Sequence, residues 1–99
     1  MARTVQHRTY TIREGLLEEW AEKWRAQIVP LRLTFGFEIH GAWLDHERSR
    51  FVWVVSYDGP EGFAERNQQY WASPERAAMA LDPSDYLVDR DVREVTAVY

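Results

Sequence analysis

Cysteine is absent from all 99 residues of the chain. That excludes disulfides, thiolate metal sites and a cysteine nucleophile. Lysine occurs once, at Lys23, and basic residues nowhere form a run. With 12 basic and 16 acidic residues the formal net charge is −4. A nucleic-acid partner needs a basic stripe to neutralise phosphates, so none is expected. A helix lying on a membrane needs a basic polar face, whereas the best helical stretch here carries Glu18, Glu19 and Glu22. No segment approaches the ~20 apolar residues of a membrane span. The first residues hold no apolar stretch of signal-peptide length. A cytoplasmic protein is the expectation.

Aromatic side chains are what the chain has in quantity: five Trp, five Tyr and four Phe, within a hydrophobic fraction of 45%. Such a composition argues against disorder. The length suits one domain, residues 1–99, with a thin core. A domain of this size leaves much of its surface exposed and gains from association.

Residues 5–13 read as a strand rich in Thr, Tyr and Ile, closed by Glu14-Gly15. Residues 16–34 read as a helix, since Leu17, Trp20, Trp24, Ile28, Leu31 and Phe35 recur every three or four positions. Pro30 falls inside that pattern. Its ring pushes on the carbonyl of Ala26, which predicts a kink or break. Gly36 stops the helix. Residues 36–44 and 50–57 form a hairpin, and Gly41 marks a bulge or a close backbone approach. The second of these strands is apolar on both faces, as central strands are. Asp58-Gly59-Pro60-Glu61 reads as the start of a helix running to about Trp71, and Ser73-Pro74-Glu75 as the start of a short one. Residues 88–99 read as a last strand.

This β-α-β-β-α-β order predicts an α+β, ferredoxin-like fold: a four-stranded antiparallel sheet with two helices on one face. Alternation places Tyr10, Phe51, Trp53, Tyr57, Val95 and Ala97 under the helices, with Arg8 beside Tyr10. The opposite face carries His7, Thr9, His40, Val52, Val54 and Ser56. Left open to water, that face would be a large apolar patch, so a second copy is expected to cover it.

In order and spacing, several stretches carry a resemblance over nearly the whole chain. They are Arg8-Thr9-Tyr10-Thr11-Ile12, Val29-Pro30-Leu31, Gly36-Phe37 with Gly41-Ala42-Trp43, Phe51-Val52-Trp53, Tyr57-Asp58-Gly59-Pro60 and Tyr70-Trp71-Ala72-Ser73-Pro74-Glu75. In these the chain resembles the NIPSNAP family of the dimeric α+β barrel superfamily. The resemblance implies a homodimer whose two sheets enclose a barrel-like interior. It implies little about chemistry, and no cofactor is expected. The wider superfamily includes cofactor-free monooxygenases, haem-handling enzymes and small-molecule isomerases or cyclases.

Candidate site residues follow from the strand faces. His40 and His7 are the strand imidazoles and could move protons near neutral pH, although a lone histidine more often makes a hydrogen bond at a surface or interface. His46 belongs to the hairpin turn. Glu38 and His40 share a face, but no third metal ligand is evident and no metal site is expected. Arg8 is unusual in a central strand. It needs either a carboxylate partner, Glu94 or Asp91 on the last strand, or a bound anion. Tyr10, Trp43, Trp53 and Tyr57 complete the candidate ligand-binding set. Two functional readings emerge: a homodimeric binding or scaffold protein, or a cofactor-independent small-molecule enzyme working from the barrel interior.

Overall fold

A computed structural model describes residues 3–99. Four strands, β1 (Thr4–Ile12), β2 (Glu38–Asp45), β3 (Arg50–Tyr57) and β4 (Leu87–Val95), form one antiparallel sheet in the order β2-β3-β1-β4. The order along the chain is the expected βαββαβ. Phe51, Trp53 and Val55 of β3 and Tyr10 and Ile12 of β1 bury their side chains on one face. The helices cover that face, so that Trp20, Trp24 and Ile28 join the same core as Phe63 and Tyr70. The core is largely aromatic, with Trp24 edge-on to Phe51 at 4.9 Å and to Trp53 at 5.3 Å.

The long helix is continuous but not uniform. It comprises α1 (Leu17–Lys23), a π-helical turn (Trp24–Ile28) and α2 (Val29–Thr34). The irregularity lies where Pro30 predicts it. Proline offers no N–H to the carbonyl four residues back, and a wider turn relieves the clash of its ring. The turn also changes which residues face inward. One extra residue in a turn rotates the rest of the helix by about 100°. The apolar stripe therefore continues from Ile28 to Arg32, not to Leu31 as a straight α-helix would have it. Arg32 is buried and Leu31 only half so, while Leu33 faces solvent. Gly36 then ends α2 with φ +89°, a conformation that side chains disfavour.

Two strand irregularities decide which side chains share a face. In β2 the register slips between Ile39 and Gly41, so His40 is the extra residue and Trp43 comes to lie opposite Val52 on the open face. Gly41 serves the expected close approach, because a side chain there would run into the indole of Trp43. In β4 the expected phase is reversed. Val95 pairs with Val5, and Val92 with Arg8. Directly opposed residues share a face, so Val95 belongs to the open face and Val92 to the helical side. Ala97 lies beyond the strand. Apolar residues in β4 do not alternate and nearly all of it is exposed, so its periodicity carried no reliable phase.

The second helix also starts later than its capping signals suggest. Asp58–Glu61 form a turn, and α3 runs Phe63–Ala72. Gly59 is needed for a different reason: the ring of Tyr57 folds over it where a side chain would stand. The short helix α4 (Pro74–Ala77) begins as expected, with Ser73 Oγ accepting the Arg76 N–H at 3.1 Å. Among the described residues no helix is long and apolar enough to cross a membrane.

Candidate functional site

The sheet divides the candidate residues of the sequence into two groups. His7, His40 and Trp43 lie on the open face, whereas Arg8, Tyr10 and Trp53 lie beneath the helices. Tyr57 is half-buried at the far end of β3, its ring 5.2 Å from that of Phe37 and its hydroxyl donating to Glu61. That bond is the main cause holding the Glu61 carboxyl below its ordinary value and the Tyr57 phenol above its own.

On the open face, the bulge turns His40 across the strand so that Nε2 shares a 2.7 Å hydrogen bond with Ser56 Oγ. Ser56 is fully buried, whereas His40 is exposed. Among the described residues no carboxylate is hydrogen-bonded to the ring, so the pair lacks the third member of a nucleophilic triad. His7 sits between Val54 and Arg93. His46 stays in the hairpin turn, exposed, with Glu18 at 3.5 Å. Among the described residues no three His, Asp or Glu side chains gather where a metal could be held.

Chemistry concentrates beneath the helices. Arg8, Arg32 and Arg76 are all buried, and among the described residues no acidic one is buried with them. The expected ion pair of Arg8 with Glu94 or Asp91 is not formed. Asp91 opposes Thr9 and so lies on the other face, where it pairs with Arg93 at 2.9 Å. Arg8 donates instead to the Gln6 amide oxygen at 2.8 and 3.0 Å and to the Tyr10 hydroxyl at 3.1 Å. Arg32 Nη1 donates to Asn67 Oδ1 at 2.7 Å, and its guanidinium lies 3.9 Å from the centre of the Tyr70 ring. Arg76 Nη1 donates to the Leu81 carbonyl at 3.2 Å, with its guanidinium 4.3 Å from the Trp71 ring. Every acceptor is neutral. Burial first, and then the charges of Arg8 and Arg76, push the Arg32 guanidinium down to about 10. Burial raises the Tyr70 phenol, although Arg32 and Arg76 pull it the other way.

A cavity of about 20 Å³ lies among these groups. Tyr10, Trp20, Trp24, Trp53 and Tyr70 line it together with Arg32 and Arg76, and Trp71, Pro83 and the exposed Arg90 form its outer end. Among the described residues seven buried side-chain atoms find no hydrogen-bond partner: the indole nitrogens of Trp20, Trp24 and Trp53, Arg32 Nε, Tyr70 Oη, and Arg76 Nε and Nη2. All seven belong to residues that line this one cavity. Arg32 and Arg76 escaped sequence reasoning. Arg32 lies off the α-helical stripe, and only Pro30 hints at the turn that brings it in. Arg76 had no signal beyond its place in a capped turn.

The family model for NIPSNAP matches residues 5–98. Among solved structures, an uncharacterised NIPSNAP domain protein from Burkholderia xenovorans is 18% identical with a TM-score of 0.82, the alignment covering 96% of this chain and 94% of that one. A NIPSNAP family protein from Agrobacterium tumefaciens is also 18% identical at a TM-score of 0.82, over 96% of this chain and 92% of that one. A putative antibiotic biosynthesis monooxygenase from Bacteriodes thetaiotaomicron shares the fold at a TM-score of 0.72 and 18% identity, over 98% of this chain and 90% of that one. No curated protein matches the chain by sequence.

Proposed function

We infer that this chain, which belongs to the NIPSNAP family, acts as a homodimeric binding or scaffold protein whose two copies join through the sheet face opposite the helices. The observation that carries this reading is an apolar band across that face. Trp43 and Val52 stand opposite each other on β2 and β3, and Val5 and Val95 on β1 and β4, with Val54 between. Trp43 is 56% exposed and Val95 39%. His7 and Thr9 of β1 interrupt the band opposite Val54 and Val52, and Glu38, His40, Asp89, Asp91 and Arg93 lie around it, so the face mixes apolar side chains with polar groups of both charge signs. Such a face suits another copy of itself.

Size supports the same occupant. Four strands about 4.8 Å apart and eight residues long at about 3.3 Å each make a face of roughly 500 Å² in plan. Two such corrugated faces together reach the ~1,000 Å² that a specific interface should clear. Light scattering on the purified protein at micromolar concentration tests the proposal. The expected mass is twice the 11.7 kDa of one chain; a monomer would overturn it.

The second reading is a cofactor-independent small-molecule enzyme. What favours it is the structural relative named as a putative antibiotic biosynthesis monooxygenase, at a likeness of fold only. In that reading His40 or His7 transfers protons from the open face, within the interior that two copies enclose. Opposed to it, the sheet separates both histidines from the buried arginines, so no single site joins them. If substituting His40 by Ala left the binding of every ligand found in that interior unchanged, the histidine would have no part in it.

A further inference from the structure

We propose that the cavity between the sheet and the helices is a binding site for the carboxylate group of a small organic acid, held by Arg32 and Arg76. This site is separate from the dimer face. It lies within one copy, on the other side of the sheet, and does not depend on pairing.

Charge is the first reason. Three buried guanidiniums with only neutral acceptors form a region of uncompensated positive charge. A buried arginine ordinarily has a carboxylate beside it. This chain has 16 acidic residues and buries none of them with Arg8, Arg32 and Arg76. An anion from outside would supply the missing partner. Hydrogen bonding is the second reason. Unmet polar groups in a folded protein are few and scattered as a rule. Here all seven cluster on one cavity, and each carries a proton to donate. Six of the seven can only donate, and the Tyr70 oxygen is the one that can also accept, so the set is complementary to an oxyanion.

Size and shape select among oxyanions. The cavity of about 20 Å³ has room for about one water, which needs about 10–15 Å³, so any oxyanion must widen it by moving the rings apart. A flat carboxylate head lies between aromatic rings at far less cost than a tetrahedral phosphate. Arg76 Nε and Nη2 are both free, and these two donors of one guanidinium edge match the two oxygens of a carboxylate. Arg32 Nε and Tyr70 Oη add further donors. Arg8 stands behind the site and reaches it through Tyr10, whose hydroxyl it holds at 3.1 Å. Beyond the head the way out passes Trp71 and Arg90, so the remainder of the acid would extend along an indole toward solvent.

Tryptophan fluorescence reads the site directly, because Trp20, Trp24, Trp53 and Trp71 all line it. The full chain is titrated with acetate and with benzoate, and with sodium chloride and inorganic phosphate at matched ionic strength. The expected result is a saturable change with a carboxylate, absent with chloride and at least tenfold weaker with phosphate. In Arg76→Gln the carboxylate affinity should fall by at least tenfold. Thermal unfolding of the unaltered protein is the companion measurement, since a ligand that binds the native state raises Tm as its concentration rises. That measurement decides the matter if the variant does not fold. A saturable response to carboxylate with a matching rise in Tm supports the site. No response to either acid, or a response that chloride reproduces, means that water alone meets these donors and overturns it. An unchanged affinity in Arg76→Gln overturns it as well.

Discussion

Arg32 shows what a single buried charge costs here. Burial pushes its guanidinium down to about 10 from the ordinary arginine range, a penalty of about 3 kcal/mol for holding the charge. The folded state binds that proton less tightly than the unfolded chain does. The cost is therefore present at every pH below about 10 and fades only as pH rises further toward the ordinary value. Replacing Arg32 by Met keeps the length and removes the charge. In carboxylate-free buffer at neutral pH, denaturant unfolding should show a gain of up to about 3 kcal/mol, reduced by the lost bond to Asn67. A clear loss of stability would contradict this account of the charge. Tyr57 makes a second case. Its hydrogen bond is the largest cause of the depressed Glu61 carboxyl, so in Tyr57→Phe that carboxyl should rise toward its ordinary 4.5. A carboxyl depressed by folding contributes stability above its ordinary pKa and loses it as pH falls through the native one. The variant should thus be less sensitive to acid in that window, which an NMR titration of Glu61 checks.

At the scale of the element, two local departures from regular structure assemble both faces. The π-helical turn rotates Arg32 into the core, and the bulge at His40 carries Trp43 to the open face. Each has a visible local cause, Pro30 in one case and Gly41 in the other. The short helix α4 does comparable work for Arg76. Its turn hangs on Ser73, whose hydroxyl donates to the Tyr70 carbonyl at 2.7 Å and accepts from the Arg76 N–H. Ser73→Ala removes both bonds from a buried position. A loss of about 1–2 kcal/mol is expected in denaturant unfolding, together with weaker carboxylate binding, since the turn positions Arg76. Thr at the same place, which keeps the hydroxyl, should recover most of the stability.

Over the whole molecule the charges are sorted: arginines without counter-charges inside, and a surface that carries the acidic excess behind the net −4. The sheet keeps two regions apart, a positive cavity under the helices and an apolar band in the open. Burying that band at about 25 cal/mol per Å² exceeds any single polar term in the fold. An acidic residue at its centre should therefore be decisive. Val54→Asp places a carboxylate on the middle of the face, and light scattering should then find one chain where the proposed pairing predicts two for the unaltered protein. Carboxylate binding should survive in that monomer, because its donors lie on the far side of the sheet.

Element order, the antiparallel sheet, the helical face and the family were all legible in the sequence. They rest on local chemistry: periodicities of two and near four, turn residues, and proline where a helix must yield. Arg8 was legible as an oddity, but its partner was not. A one-residue phase in an exposed strand decides whether Asp91 meets it, and β4 lacks the alternation that would reveal that phase. Arg32 and Arg76 were beyond reach for a related reason. A single extra residue in one helical turn, or the side toward which a four-residue helix points its arginine, is settled by packing against distant strands. Sequence alone thus determined that a sheet, covered on one side and of mixed apolar and polar character on the other, would form. Only the tertiary structure decided that three cationic side chains and seven unmet polar atoms converge beneath the helices, because convergence is a property of positions far apart along the chain.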